Sequence, residues 1–398
     1  MKAKNFAMHR SGRITSLELV RGLSALVVML GHLRSALLPD FGDLISPTVL
    51  TKIFYFVSGM GHQAVMVFFV LSGYFVGGAV LRQAGGFYVL DYVVARLSRL
   101  WVVLLPALLL TWALDTALLS FWPHVLDAAH IESWRCIPHD GLLQHGWVVF
   151  IGNAMFLQTV SVPIFGSNGP LWSLAYEAWY YLLFPLIWHG VVRSARWTHK
   201  LLFLIVSAAV LSAMTQEMRW LFIAWVMGAA VHGVPGRWHC FGRWTCGTLS
   251  LVWMLVMLSL ARLDKVPSLF PFAHDLLLAA AVSMWCLHVR FAETLAWPDW
   301  LRAPTHRLSD MSFSLYLIHM PIIFVGVGAL IPSGKMSLNA SGWVTFAALS
   351  LGIVATSWLF WWMFERHAPE VRKLLMQGLL RLMERLALKA AREPQKGA

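Results

Sequence analysis

What the chain has little of narrows the field first. Charged residues make up only 13% of the 398 positions, about half the share found in soluble proteins. Of the four cysteines, Cys136, Cys240, Cys246 and Cys286, none forms a CxxC pair and no disulfide-scaffold spacing appears. They read as packing residues, because His239, Cys240 and Cys246 lack a fourth ligand at zinc-site spacing. No internal repeat, low-complexity tract or nucleic-acid module stands out, so the net charge of +12 does not indicate a nucleic-acid partner. A cleaved leader is not expected either. The apolar run after the basic start is interrupted by His32 and Arg34, and no small-x-small site follows it.

What is present is apolar surface. Hydrophobic residues reach 59% and mean hydropathy is +0.66, more than a water-exposed surface can carry. The apolar stretches run through the whole chain, which predicts an all-α, polytopic transmembrane helix bundle. About 20 apolar residues are needed per crossing. Ten stretches qualify, at roughly 17–38, 61–82, 99–120, 171–192, 200–215, 217–233, 245–262, 273–290, 309–331 and 342–364. An eleventh, 147–160, is shorter and contains Gly152, Asn153 and Gln158. Ten crossings place 24 of the 31 lysines and arginines on one side together with both termini, the cytoplasmic side under the positive-inside rule. Counting 147–160 as a crossing would move Arg193, Arg196 and Lys200 outside, so it reads as a re-entrant or buried half-helix. Residues 1–369 therefore form the membrane domain. Residues 370–398 form a basic amphipathic tail on the inner membrane surface. In the outer loops, His130, His139 and His145 read as ordinary polar residues, and no metal is expected. Asp115 and His288, near span ends, read as interfacial.

Ionisable residues inside spans are functional candidates by default. Arg21 and His32 are eleven residues apart, close to three helical turns, so they share one face with about 16 Å between them. Glu18, one turn before Arg21, can pair with it. The second span carries a polar spot, Ser72-Gly73-Tyr74, which also reads as a close helix-packing site. Arg96 and Arg99 share a face at the mouth of the third span. They suit either a phosphate clamp or inner-face anchoring. Glu177 lies two turns into the helix that follows Asn168-Gly169-Pro170. It is expected in the same half of the membrane as His32, where a carboxylate and an imidazole can form a general base.

Several segments together resemble the acyltransferase family 3 membrane proteins. They are the Arg21-to-His32 spacing, Phe69-Val70-Leu71-Ser72-Gly73-Tyr74, Arg96-x-x-Arg99, Leu171-Trp172-Ser173-Leu174 with Glu177, and Ser314-Leu315-Tyr316-Leu317-x-His319-x-Pro321. They occur in order across nearly the whole membrane region. Glu18 stands where Asp is common, and Tyr74 where Phe is usual. The resemblance implies transfer of an acyl group, often acetyl, from cytoplasmic acyl-CoA to a hydroxyl of a surface polysaccharide, lipid-linked glycan or small exported molecule. It implies donor binding by Arg96, Arg99 and Arg21, and catalysis by His32 with Glu177. Ser72, Trp172, Ser173, Tyr316 and His319 are then substrate or structural motif positions. Whether His32 acts as base or carries the acyl group stays open. The expected setting is the plasma membrane of a bacterium, the inner one where there are two. A proton-coupled transporter built on the same Arg/His/Glu set is the competing class. A structural or flippase-like assembly partner is a third.

Overall fold

An apolar chain in hydrocarbon has no water for its backbone groups, and a helix satisfies them internally. The computed structural model describes residues 14–83, 88–126, 143–235, 243–263, 272–292, 297–331 and 335–392. Asp127, His130, Glu132, Cys136, His139, His239 and Cys240 lie outside the described residues, as does the side chain of Cys246. The helices are α1 (Thr15–Leu37), α2 (Val49–Ser58), α3 (Gly61–Leu81), α4 (Val89–Phe121), α5 (Trp147–Ala154), α6 (Leu171–Pro185), α7 (Trp197–Ala213), α8 (Gln216–Ala230), α9 (Arg243–Arg262), α10 (Ala273–Ala292), α11 (Asp299–Asp310), α12 (Ser312–Leu330), α13 (Ala340–Met363) and α14 (Ala368–Arg392). Among the described residues the only β pairing is an isolated bridge between Gln158 and Val162. The all-helical class is therefore observed, and each of the ten expected spans falls on a helix. Among the described residues, five helical segments suffice by length and composition to cross a membrane: α1, α3, α4, α12 and the stretch from Ala340 to Leu386.

Helix α5 has eight residues, about 12 Å, far short of a hydrocarbon core. The polar residues that set this stretch apart in the sequence hold the irregular chain around it. Asn153 donates from Nδ2 to the carbonyls of Val149 (2.8 Å) and Pro163 (2.9 Å), and its Oδ1 accepts from the Phe165 amide at 3.1 Å. Gln158 donates to the Leu171 carbonyl at 2.9 Å, and Asn168 to that of Leu317 at 2.8 Å. Asp115 is not interfacial, as its place near a span end suggested. It is 1% exposed, and it accepts from the amide of Ser167 at 2.8 Å, with its Oδ2 the same distance from His145 Nε2. A hydrated end residue is thus a buried anchor, because the returning chain covers it.

Helix ends sort into two opposite sets. At one, Arg193 donates to the Gln83 carbonyl (2.8 Å), Arg82 meets the His232 ring (2.8 Å), Arg290 donates to the Val231 carbonyl, and Arg372 pairs with Asp91 (2.7 Å). At the other, Lys335 pairs with Asp40 (3.1 Å), and the Met336 amide donates to the Leu37 carbonyl (2.8 Å). Arginines thus gather at the first set of helix ends. The Arg372–Asp91 pair also docks α14 against the start of α4, the helix carrying Arg96 and Arg99.

The core forms where α1 packs on α3, α11 and α12, and where α8 crosses α3. The α3–α8 crossing depends on missing side chains. A Cβ on Gly73 would strike the Trp225 carbonyl, and one on Gly228 would strike that of Val70. The packing reading of Ser72-Gly73 is therefore correct, as far as Gly73 goes. Immediately after Ser72 the helix widens into a π turn, Gly73–Gly77, a distortion that recurs at functional sites.

Candidate active site

Three polar layers follow one another from the basic face toward the other side. The first is built at the start of α1. Arg21 donates to the Ser309 carbonyl at the end of α11 (2.7 Å) and lies 3.5 Å from Glu18, which accepts from the Ser309 hydroxyl. The pairing expected between Glu18 and Arg21 is present. Arg99, exposed on α4, lies within electrostatic reach of both Arg21 and Glu365. Glu365 accepts from the amide (3.1 Å) and hydroxyl (2.7 Å) of Ser314, so it fixes the first turn of α12. Arg96 rests 5.8 Å from the Tyr92 ring and within electrostatic reach of Tyr181. The Nε atoms of Arg21 and Arg96 are buried with no hydrogen-bond partner among the described residues. Arg21 and Arg99 thus address one region around Glu365, while Arg96, one turn earlier on α4, faces Tyr92 and Tyr181.

The second layer centres on Glu177. Its Oε1 accepts from the hydroxyls of Ser72 and Tyr181, and Ser72 Oγ in turn accepts from Trp225 Nε1 at 3.0 Å. Phe69, beside Ser72 in the motif, packs among Trp172, Tyr176 and Tyr180 and positions α6 against α3. Ser173 Oγ lies 2.6 Å from the Tyr316 hydroxyl and donates to the Pro170 carbonyl at 3.2 Å, which leaves Tyr316 to donate to Ser173.

The third layer is a pair of imidazoles. His32 Nδ1 lies 2.8 Å from His319 Nε2, with the ring planes 9° from parallel. His319 is fully buried, and its Nδ1 lies 3.0 Å from the Leu315 carbonyl, which can only accept. That carbonyl fixes the protons of the neutral pair. His319 carries hydrogen on Nδ1 and accepts at Nε2; His32 therefore donates from Nδ1, and its Nε2 keeps a free lone pair. His32 itself is half-buried.

This corrects the expected His32–Glu177 pair. Glu177 joins Ser72, eleven residues or about 16 Å into α3, whereas His32 is five residues, about 7.5 Å, from the end of α1. The two groups meet different neighbours because they lie at different depths. Tyr316 links their surroundings: its ring lies 6.0 Å from that of His319, and its hydroxyl is within electrostatic reach of Glu177. Sequence reasoning placed His319 in a motif without giving it a partner. It missed Tyr181, whose position four residues after Glu177 on one helix was a usable signal. Nothing in the sequence pointed to Trp225 or Ser309.

A polar track between membrane helices, ending in an oriented imidazole, is suited to moving a proton to or from a bound substrate, and comparison with known proteins supplies the class. A family profile described as an acyltransferase domain, that of acyltransferase family 3, matches residues 14–362. The chain belongs to this family. It is also 22% identical over 408 residues to Nodulation protein 10 of Rhizobium leguminosarum bv. viciae, covering 92% of this chain and 96% of that protein. No solved structure matches. The protein is thus an enzyme, a membrane acyltransferase.

Proposed function

We propose that the protein is an O-acyltransferase that moves an acyl group, acetyl in the first instance, from acyl-CoA to a hydroxyl of a surface or exported glycan. The basic face is cytoplasmic in this reading, ten helices cross the membrane, and α14 lies on its inner surface. The bacterial inner membrane is the setting. Arg99, Arg96 and Arg21 hold the phosphates and arm of the donor, since guanidinium forks suit polyanions. The acyl end then passes the layer of Glu177, Ser72 and Tyr316 and reaches His32. The acceptor enters from the other side.

His32 Nε2 removes the acceptor's hydroxyl proton as the oxygen attacks the thioester carbonyl. The ester C–O bond forms, the C–S bond breaks, and the departing thiolate of coenzyme A takes the proton back from His32. His319 orients the ring and fixes its tautomer. The observation that carries this reading is the His32–His319–Leu315 chain, which leaves one imidazole nitrogen available on the helix face that also bears Arg21.

The test separates the two roles open to His32. Purified protein given labelled acyl-CoA without acceptor should stay unlabelled, and thiol release should begin only when acceptor is added. A stoichiometric labelled protein formed from donor alone would mean that His32, or another residue, carries the acyl group.

A further inference from the structure

At the end of the bundle away from the basic face, three residues far apart in sequence converge. His62 stands in the first turn of α3, and His274 and Asp275 in the first turn of α10. His62 Nε2 lies 2.8 Å from one carboxylate oxygen of Asp275, and His274 Nε2 lies 3.5 Å from the other. The three ligand atoms lie within 4.8 Å of one another. The two rings are about two-fifths exposed, while the Asp275 side chain is 2% exposed. Among the described residues Asp275 has no arginine or lysine partner. A carboxylate held this deep requires compensation of its charge. Glu217, at the start of α8, adds a second negative charge within reach of His62 and accepts from Tyr176 at 3.2 Å.

We propose that His62, His274 and Asp275 form a binding site for a divalent transition ion, zinc by preference, that ties α3 to α10 at the outer mouth of the bundle. Two imidazole nitrogens and one carboxylate oxygen are the borderline donors that zinc takes, and three protein ligands leave a fourth position for water. Ligand atoms around tetrahedral zinc stand about 3.4 Å apart, from bonds of about 2.1 Å. Binding therefore opens the His62–carboxylate pair from 2.8 Å and draws the most widely separated ligand atoms, now up to 4.8 Å apart, together by up to about 1.4 Å. The ion's two positive charges balance Asp275 and Glu217. Exposed imidazoles give it an entry path, and the buried carboxylate, fixed on a helix end, gives it a rigid base. The site stands apart from the three catalytic layers and does not depend on the assigned reaction.

The test is zinc content. Full-length protein purified in detergent, equilibrated with zinc and freed of excess, should retain about one zinc per chain by elemental mass spectrometry. His62→Ala/His274→Ala should lower retention by at least about tenfold, while His32→Ala keeps it. Wild-type protein loaded with cobalt instead should show visible ligand-field bands that zinc abolishes, a readout that needs no variant. Folded wild type that retains no zinc and shows no cobalt bands overturns the proposal. So does a double variant that retains zinc as wild type does, since the ion would then sit on other histidines.

Discussion

Removing either imidazole of the pair should give unequal losses, and removing both should add nothing. His32→Ala deletes the proposed base. Loss of general base catalysis lowers kcat by about 10²–10⁴-fold, or about 2.7–5.5 kcal/mol of transition-state stabilisation. His319→Ala leaves the base in place but takes away the acceptor 2.8 Å from its Nδ1–H. His32 can then turn or change tautomer, and losing an orienting partner typically lowers activity by about 10–100-fold. In the double variant there is no base left to orient, so its rate should equal that of His32→Ala alone. The assay is release of free coenzyme A thiol by purified protein with saturating donor and acceptor. Stability should be followed alongside, since an unpartnered buried donor removes about 1–3 kcal/mol. If the losses multiply in the double variant, the two rings act independently and the proposed orientation is wrong. Near-normal activity in a folded His32→Ala protein would remove the base itself.

Replacing Arg96 and Arg99 together with alanine should raise KM for acyl-CoA more than it lowers kcat, because their contacts are remote from the reacting carbonyl; overlapping donor titration curves would rule out the clamp. Glu177→Gln keeps an oxygen that can accept from Ser72 and Tyr181, so kcat should fall while the pH at which the rate titrates stays that of wild type; a displaced pH profile would show that Glu177 acts on His32 after all. Gly228→Ala puts a methyl against the Val70 carbonyl and should destabilise the α3–α8 crossing by about 1–3 kcal/mol, read as a lower melting temperature in detergent. A cysteine at Arg196, in a background without the native four, should resist a membrane-impermeant thiol reagent on intact cells and react once the membrane is opened; labelling from outside would make the 147–160 region a true crossing.

Much of the architecture was legible because the bilayer imposes length and polarity rules that single residues obey. Gly152, Asn153 and Gln158 marked α5 as different, and Asn153 and Gln158 turn out to satisfy the returning backbone. The eleven-residue spacing of Arg21 and His32 showed a shared face without any tertiary knowledge. The partner of His32 was not legible in the same way. Helical periodicity tells which face a residue occupies but not the depth at which another helix presents its own polar group. Glu177 therefore looked like the natural companion of His32, while the ring that meets it comes from α12, 287 positions away. Asp115 was misjudged for a related reason: its burial depends on Ser167 and His145, and only the fold brings those residues over it.

The proposed role of His32 is to deprotonate a glycan hydroxyl for acyl transfer across this membrane domain. Its most direct test is mass spectrometry of the surface and exported glycans from cells with the wild-type protein, with His32→Ala expressed at the same level, and with no protein. A mass increment of one acyl group per modified sugar is expected in wild type alone. Glycans of equal mass in all three, or an increment that persists with His32→Ala, would contradict it.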